Sequence, residues 1–382
     1  MLYFDHCAST PPYDEVIQTM TEVMRAHYAN PSSLHRAGTS AGHLIERSRA
    51  VLAEQFRTKK GSWLFTGGGT ESNNLAVKGI AKQYAGRGKH LITTRIEHAS
   101  VYETFGQLEE EGFRVTYLPV SDTGHVRAEQ VLEAVTDETV LVSVMHVNNE
   151  IGTVQPIAEI GRMLKKRSRA FFHVDAVQSI GKLPVSVEEW GIDLLSGSAH
   201  KLRGPKGVGF LYIRDGITLY PLFTGGSQEE GFRAGTQNVP GIVASAKALR
   251  MASESMEARG RKLGALKRML LTEIAEIPEL KLNGGEPSAP HIVHFSYPGM
   301  KPEVIVHMLE EQGILASTKS ACSSKDQKPS RVLLAMGASR EHAAGGVRIS
   351  LGDEHTERDI ARLAEALRIA VRQLKPLERG LT

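Results

Sequence analysis

Short apolar runs of strand length recur along the first two thirds of the chain, and segments with apolar residues at helical spacing lie between most of them. The runs are Ser62–Thr66, His90–Arg95, Arg114–Leu118, Val140–Val147, Ala170–Asp175, Leu194–Ser196 and Val208–Ile213. Alternation of this kind, from about residue 13 to 250, predicts an α/β architecture built on a mainly parallel sheet of seven strands. Among the intervening segments, Ala41–Phe56 carries Ile45, Leu52 and Phe56 on one face. Thr70–Tyr84 starts directly after three glycines, and the spacing predicts a helix there as well. A long helical stretch after Pro240 runs towards Ile277 and reads as a bridge to a second unit.

Beyond it the texture changes. A Gly/Pro-rich loop at 283–290 precedes a strand at Ile292–Ser296. Pro302 opens a helix that Gly313 closes, and a last helix from near Thr356 stacks Ile360, Leu363, Leu367 and Val371. A polar loop, Ser317–Ser330, lies between these two helices. At 382 residues the chain exceeds one simple core. The expected division is a large domain at 13–250 and a smaller α+β domain formed by 1–12 and 251–382.

Composition narrows the function classes. Basic and acidic residues nearly balance, 46 against 43, so neither nucleic acid nor membrane is an expected partner. The basic run at 165–169 reads as a solvated helix end. No apolar run is long enough to span a bilayer, and the opening Met-Leu-Tyr-Phe-Asp-His lacks the apolar core of a secretory signal. With only Cys7 and Cys322, neither a disulfide framework nor a thiolate metal site is expected, which points to a reducing cytoplasm.

The chemistry is concentrated in a few places. Lys201 stands in Ser-Gly-Ser-Ala-His-Lys-Leu-Arg-Gly-Pro-Lys-Gly, and Asp175 ends an apolar strand. An amine and a buried carboxylate are what pyridoxal 5'-phosphate requires of a protein, one to condense with its aldehyde and one to hold its ring nitrogen protonated. Alone, Asp175 reads as a helix cap and Lys201 as a solvated surface lysine. Gln178 is placed to donate to a phenolic oxygen, His98 to stack on a ring, and Ser198 and His200 to reach a phosphate. The glycines at 67–69 free backbone N–H groups at a helix start, where an anion is favoured, although a plain tight turn explains them too.

Cys322, between serines and near Lys319 and Lys325, has surroundings that favour a thiolate. Arg348, on an apolar strand, needs an anion. A substrate carboxylate and a structural salt bridge answer that need equally well. His291 and His294 are spaced to face opposite sides of a strand, so metal binding is not expected there.

Taken together these segments resemble a family, the NifS-like cysteine desulfurases of the class V aminotransferase branch of fold-type I pyridoxal phosphate enzymes. The resemblance rests on Asn30-Pro-Ser-Ser, Gly68-Gly-Thr-Glu-Ser-Asn-Asn, Val147-Asn-Asn-Glu-Ile-Gly, Asp175-Ala-Val-Gln, Ser198-Ala-His-Lys, Arg233-Ala-Gly-Thr and Ser320-Ala-Cys-Ser-Ser. It implies that Lys201 carries the cofactor, Asp175 pairs with its ring nitrogen, Gln178 meets its phenolic oxygen and His98 stacks on it. Gly69, Thr70, Ser198 and His200 would hold the phosphate, with Thr236 reaching in from the other subunit of a homodimer.

Asn149 and Arg348 would fix the substrate carboxylate, with Asn30 nearby. Cys322 would take the sulfur of L-cysteine as a persulfide, leave L-alanine, and pass the sulfur to an iron–sulfur scaffold or a tRNA-thiolating enzyme. The chain departs from the family pattern at Gly67, where a serine is common, at Lys319 and Lys325, where glycines are common, and at Cys7. Its short C-terminal tail leaves scaffold docking open. A pyridoxal phosphate aminotransferase or a selenocysteine lyase is the rival enzyme reading, and a non-catalytic sulfur-delivery subunit the rival of another class.

Overall fold

The computed structural model describes residues 1–318 and 328–378. Its centre is the expected seven-stranded sheet, in the spatial order Ser62–Thr66, Gly209–Ile213, Leu194–Ser198, Phe171–Asp175, Thr139–Met145, His90–Thr94 and Arg114–Leu118. The last five strands of that order run parallel, and Gly209–Ile213 is antiparallel to both of its neighbours. Near-continuous apolar strands require cover on both faces. One face packs Val142, Val174, Trp63 and Phe210 under Ile45 and Ile242, and the other packs Leu64, Leu91 and Leu141 under Leu75, Ile80 and Phe105. The parallel strands end together at one edge, which brings Asp175, Ser198 and Met145 to a common rim, the place where open α/β sheets collect ligands.

A second core forms around three antiparallel strands in the order Gly346–Ser350, Ile292–Ser296 and Lys281–Asn283. Helices Met256–Ala275, Pro302–Glu311 and Glu357–Glu378 supply its apolar cover, with Leu270, Leu309 and Leu367 against Phe295 and Ile349. Phe4, from the start of the chain, is buried in this core. Leu2–Tyr3 pairs in parallel with Ile314–Leu315, and Asp5 bridges to Ser350. Strands of two residues carry no readable periodicity, so neither strand of this pair is among the expected ones, although the expected division groups residues 1–12 with 251–382.

Two helices differ from their sequence expectation. The first begins at Arg36, where the His35 ring accepts from Gly38 N–H and caps the turn, rather than at Ala41. The long stretch after Pro240 is two helices, Val239–Glu254 and Met256–Ala275, that meet at Ser255. Helical propensity is continuous across Ser255, and only the packing of each half against a different core separates them.

Candidate active site

At the rim of the large sheet a cavity is lined by Cys7, Ala8, Gly69, Thr70, Asn73, His98, Ser100, Met145, Asn149, Asp175, Val177, Gln178, Ser198, His200, Lys201 and Arg348. It therefore gathers ten expected site residues that lie as much as 279 positions apart, from Gly69 to Arg348. Three expected residues are not in its wall. Asn30 is exposed, with its side chain accepting from Ser32 N–H at 2.9 Å, and Thr236 is exposed on a loop outside the cavity. Cys322 lies outside the described residues.

One end of the cavity is built for an anion. The helix Gly69–Gln83 begins there with its backbone N–H groups unclaimed by the helix itself. A Cβ on Gly69 would lie 2.8 Å from Cγ2 of Val177 and 3.4 Å from Cβ of Ser198, so only glycine lets the turn come this close to the strand end. The Ser198 hydroxyl is buried and has no partner. At Gly67 a Cβ would meet only the movable end of Glu71, whose Oε2 accepts from Gly67 N–H while Arg233 holds its other oxygen, so space does not require glycine there. Burial first, then Lys201, Lys182 and Lys206, holds the His200 ring at a pKa of about 4, so it meets an anion as a neutral donor.

The middle of the cavity is organised by Asn73, which the sequence reading passed over. Its amide donates to Asp175 Oδ2 at 2.8 Å and to Ser100 Oγ at 2.9 Å, and Val177 N–H donates to Asp175 Oδ1 at 3.0 Å. Each oxygen of Asp175 thus holds one donor, and the carboxylate plane is set. A carboxylate only accepts, so the amide orientation of Asn73 is unambiguous. The same network sets His98. Ser100 N–H donates to His98 Nδ1 at 3.1 Å and Ser100 Oγ lies 2.8 Å from the same atom. A backbone N–H can only donate, so Nδ1 is the acceptor and the ring proton sits on Nε2. Burial keeps this ring neutral, against the pull of Asp175 and with the push of Lys201. Glu97 fastens the segment from beneath by accepting from Thr94 and Met145 N–H, and burial raises its pKa to about 8.

Lys201 ends a short 3-10 turn, Ala199–Lys201, directly after the strand that ends at Ser198. Its Nζ donates to the carbonyls of Cys7 and Ala8, the latter at 2.7 Å. Gln178 donates from its amide to Cys7 O at 3.1 Å. Both therefore lean on the N-terminal segment. At the far end Arg348, 1% exposed, donates to Asn149 O at 2.7 Å and to Asp5 Oδ1 at 3.1 Å, while its Nε has no partner. The structural ion pair is thus present, and one donor of the guanidinium stays unused among the described residues. Cys7, 2% exposed, forms part of the wall. His294 bonds Asn283 and shares no site with His291.

Comparison with known proteins agrees with this geometry. Residues 2–363 match the family described as aminotransferase class-V. Cysteine desulfurase IscS of Clostridium botulinum is 43% identical over 380 residues, spanning 98% of this chain and 96% of that protein. IscS of Methanosarcina thermophila is 42% identical, spanning 98% and 93%. Among solved structures, a NifS-like protein superposes with a TM-score of 0.90 at 37% identity, covering 98% of this chain and 99% of its own. The structure titled SspA in complex with cysteine has a TM-score of 0.81 at 37% identity, covering 93% and 100%. Full-length similarity at this level, with the sheet edge and its cavity in place, makes the chain a member of the class-V aminotransferase family, in its cysteine desulfurase branch.

Proposed function

We propose that the chain is a pyridoxal phosphate-dependent cysteine desulfurase that converts L-cysteine to L-alanine and carries the sulfur away as a persulfide on Cys322. The observation that carries this is one cavity holding an anion cradle, an oriented carboxylate, a lysine amine and a buried arginine in that spatial company. The donors fit the cofactor: the partnerless Ser198 hydroxyl and the helix start at Gly69 and Thr70 suit its phosphate, with His200 beside them. Asp175 suits its ring nitrogen, Gln178 its phenolic oxygen, His98 its ring face and Lys201 its aldehyde. When bound, the cofactor supplies a sink for the electron pair released at the substrate Cα.

The chain's own groups do the rest. Arg348 Nε and Asn149 hold the substrate carboxylate, with Asn30 at the approach. Lys201 Nζ takes and returns the Cα proton, and His98 donates from Nε2 to the substrate side of the cavity. The Cys322 thiolate attacks the substrate sulfur. An S–S bond forms, the C–S bond breaks with its pair passing to carbon, and protonation of that carbon completes alanine. The persulfide is then given to an acceptor protein, an iron–sulfur scaffold or a tRNA-thiolating enzyme.

The solved structure titled as a complex with cysteine, on a chain 37% identical, supports the substrate assignment. The phosphate end continues into an open groove walled by Lys78, Leu222 and Phe223, with Phe223 53% exposed. A second copy of the chain bringing Thr236 to that groove would close it, and a homodimer is part of the proposal. So are a large domain at 13–250, a small one at 1–12 with 251–382, and a cytoplasmic setting that keeps Cys322 reduced. No described helix is long and apolar enough to cross a membrane.

The direct test is purified protein with L-cysteine and dithiothreitol, scored for alanine and sulfide in equal amounts. Amino-group transfer to a keto acid in place of alanine would overturn the reading. Asn73→Ala removes a hydrogen bond to a charged acceptor, worth about 1.5–3 kcal/mol. It should therefore weaken cofactor retention by at least about tenfold, read by fluorescence titration. Unchanged affinity would show that Asp175 needs no support from Asn73.

A further inference from the structure

Behind Lys201, on the side away from the substrate cavity, lies a second and smaller chamber. Its wall includes His6, Lys182, Lys201, Arg203, Arg259, His291 and Asp353, so Lys201 borders both cavities. Its volume is about 30 Å³, room for a pair of water-sized occupants at most. The charges around it do not cancel. Arg203 is matched by Asp353 at 2.5 Å and by Glu354, and His6 bonds Glu354 at 2.6 Å. Lys182 and Arg259, in contrast, make no ion pair among the described residues. Lys182 Nζ meets only Gln178 Oε1, at 3.5 Å, and Arg259 is spent on the carbonyls of Gly181 and Ala252, the Ser255 hydroxyl and the Tyr13 hydroxyl.

His291 is 1% exposed, and neither ring nitrogen has a partner. A buried imidazole left wholly unsatisfied costs about 1–3 kcal/mol for each polar group, so this ring is a donor in want of an acceptor. Burial, with Lys182 and other cations near, keeps it neutral, and a neutral imidazole still has one N–H to give.

We propose that this chamber is a binding site for one small monovalent anion, of halide or hydrosulfide size, held by Lys182 and capped by the His291 N–H, with the charge of Arg259 in the wall. Lys182 and Arg259 face an anion more favourably than a cation. The site is distinct from the phosphate cradle, which lies on the other side of Lys201, and it goes beyond the desulfurase reading because its occupancy can be measured with no substrate present. An anion there would offset two uncompensated positive charges next to the lysine that the proposed reaction uses.

Bromide is the probe. Crystals of the full chain as purified, soaked in sodium bromide and measured at the bromine absorption edge, should show anomalous density within contact distance of Lys182 Nζ and the His291 ring. Lys182→Met should lose it and Lys182→Arg should keep it. In solution, bromine-81 line broadening by the wild-type protein should fall at least threefold in Lys182→Met, and added hydrosulfide should reverse the wild-type broadening in competition. Wild-type density explained by water alone overturns the site, as does bromide retained undiminished in Lys182→Met. Density in the soaked crystal with no broadening in solution overturns it too, as binding at crystal concentration only.

Discussion

Lys201→Ala is expected to fold, to reach the same oligomeric state as wild type, and to form alanine at least about 10³-fold more slowly. General acid–base groups are worth roughly 10²–10⁴-fold, and this side chain is assigned covalent anchoring in addition. The side chain adds little to either hydrophobic core, so stability should change little. Its contacts include the carbonyls of Cys7 and Ala8, which the variant leaves without this donor. Alanine formation by amino-acid analysis, with the visible spectrum recorded alongside, separates loss of chemistry from loss of cofactor. A variant within tenfold of wild type would remove Lys201 from the reaction. Lys201→Arg keeps the charge and cannot act as the amine, and it should be as impaired as Lys201→Ala.

The second large effect is at Cys322. Cys322→Ala and Cys322→Ser should each cut persulfide formation by at least about 10³-fold while the cofactor spectrum stays that of wild type. The chain has one other thiol, Cys7, in the wall of the cavity with Val147, Ala289 and Ile292 packed against it. Burial at 2% exposure keeps it from serving an external acceptor, so it should not rescue the variant. Cys7→Ala is the matching control, and it should retain at least half of the wild-type rate. Persulfide mapped by alkylation and mass spectrometry to Cys7 in the Cys322→Ser protein would reassign the nucleophile.

The parts of the site legible in the sequence are those whose local context already constrains them. Asp175 ends a buried, mostly apolar strand, and Lys201 closes the turn after the next strand, so both fall on one sheet edge once the sheet is parallel. Asn73 and Ser100 were not legible, because their importance lies in a junction among residues 73, 100 and 175 that no spacing encodes. A serine after His98 reads as an ordinary first-turn residue, yet its N–H decides which ring nitrogen holds the proton. Arg348 was legible as an arginine in need of an anion, but not as one that serves Asp5 and the cavity at once. Thr236 and Asn30 lie outside the cavity wall, and no local pattern in the sequence shows that they would.

The N-terminal segment gives the molecule an order of assembly. Leu2–Tyr3 finds its strand partner only at Ile314–Leu315, Asp5 meets Arg348, and the carbonyls of Cys7 and Ala8 hold the lysine at 201. During synthesis the large sheet can be completed once residue 213 has emerged, but Phe4 has no core to enter until residues beyond 290 are available. For most of translation the first eight residues are therefore an unpaired, partly apolar end beside a nearly finished sheet. Lys201 therefore takes up its place against these carbonyls only after the chain has been made through residue 348.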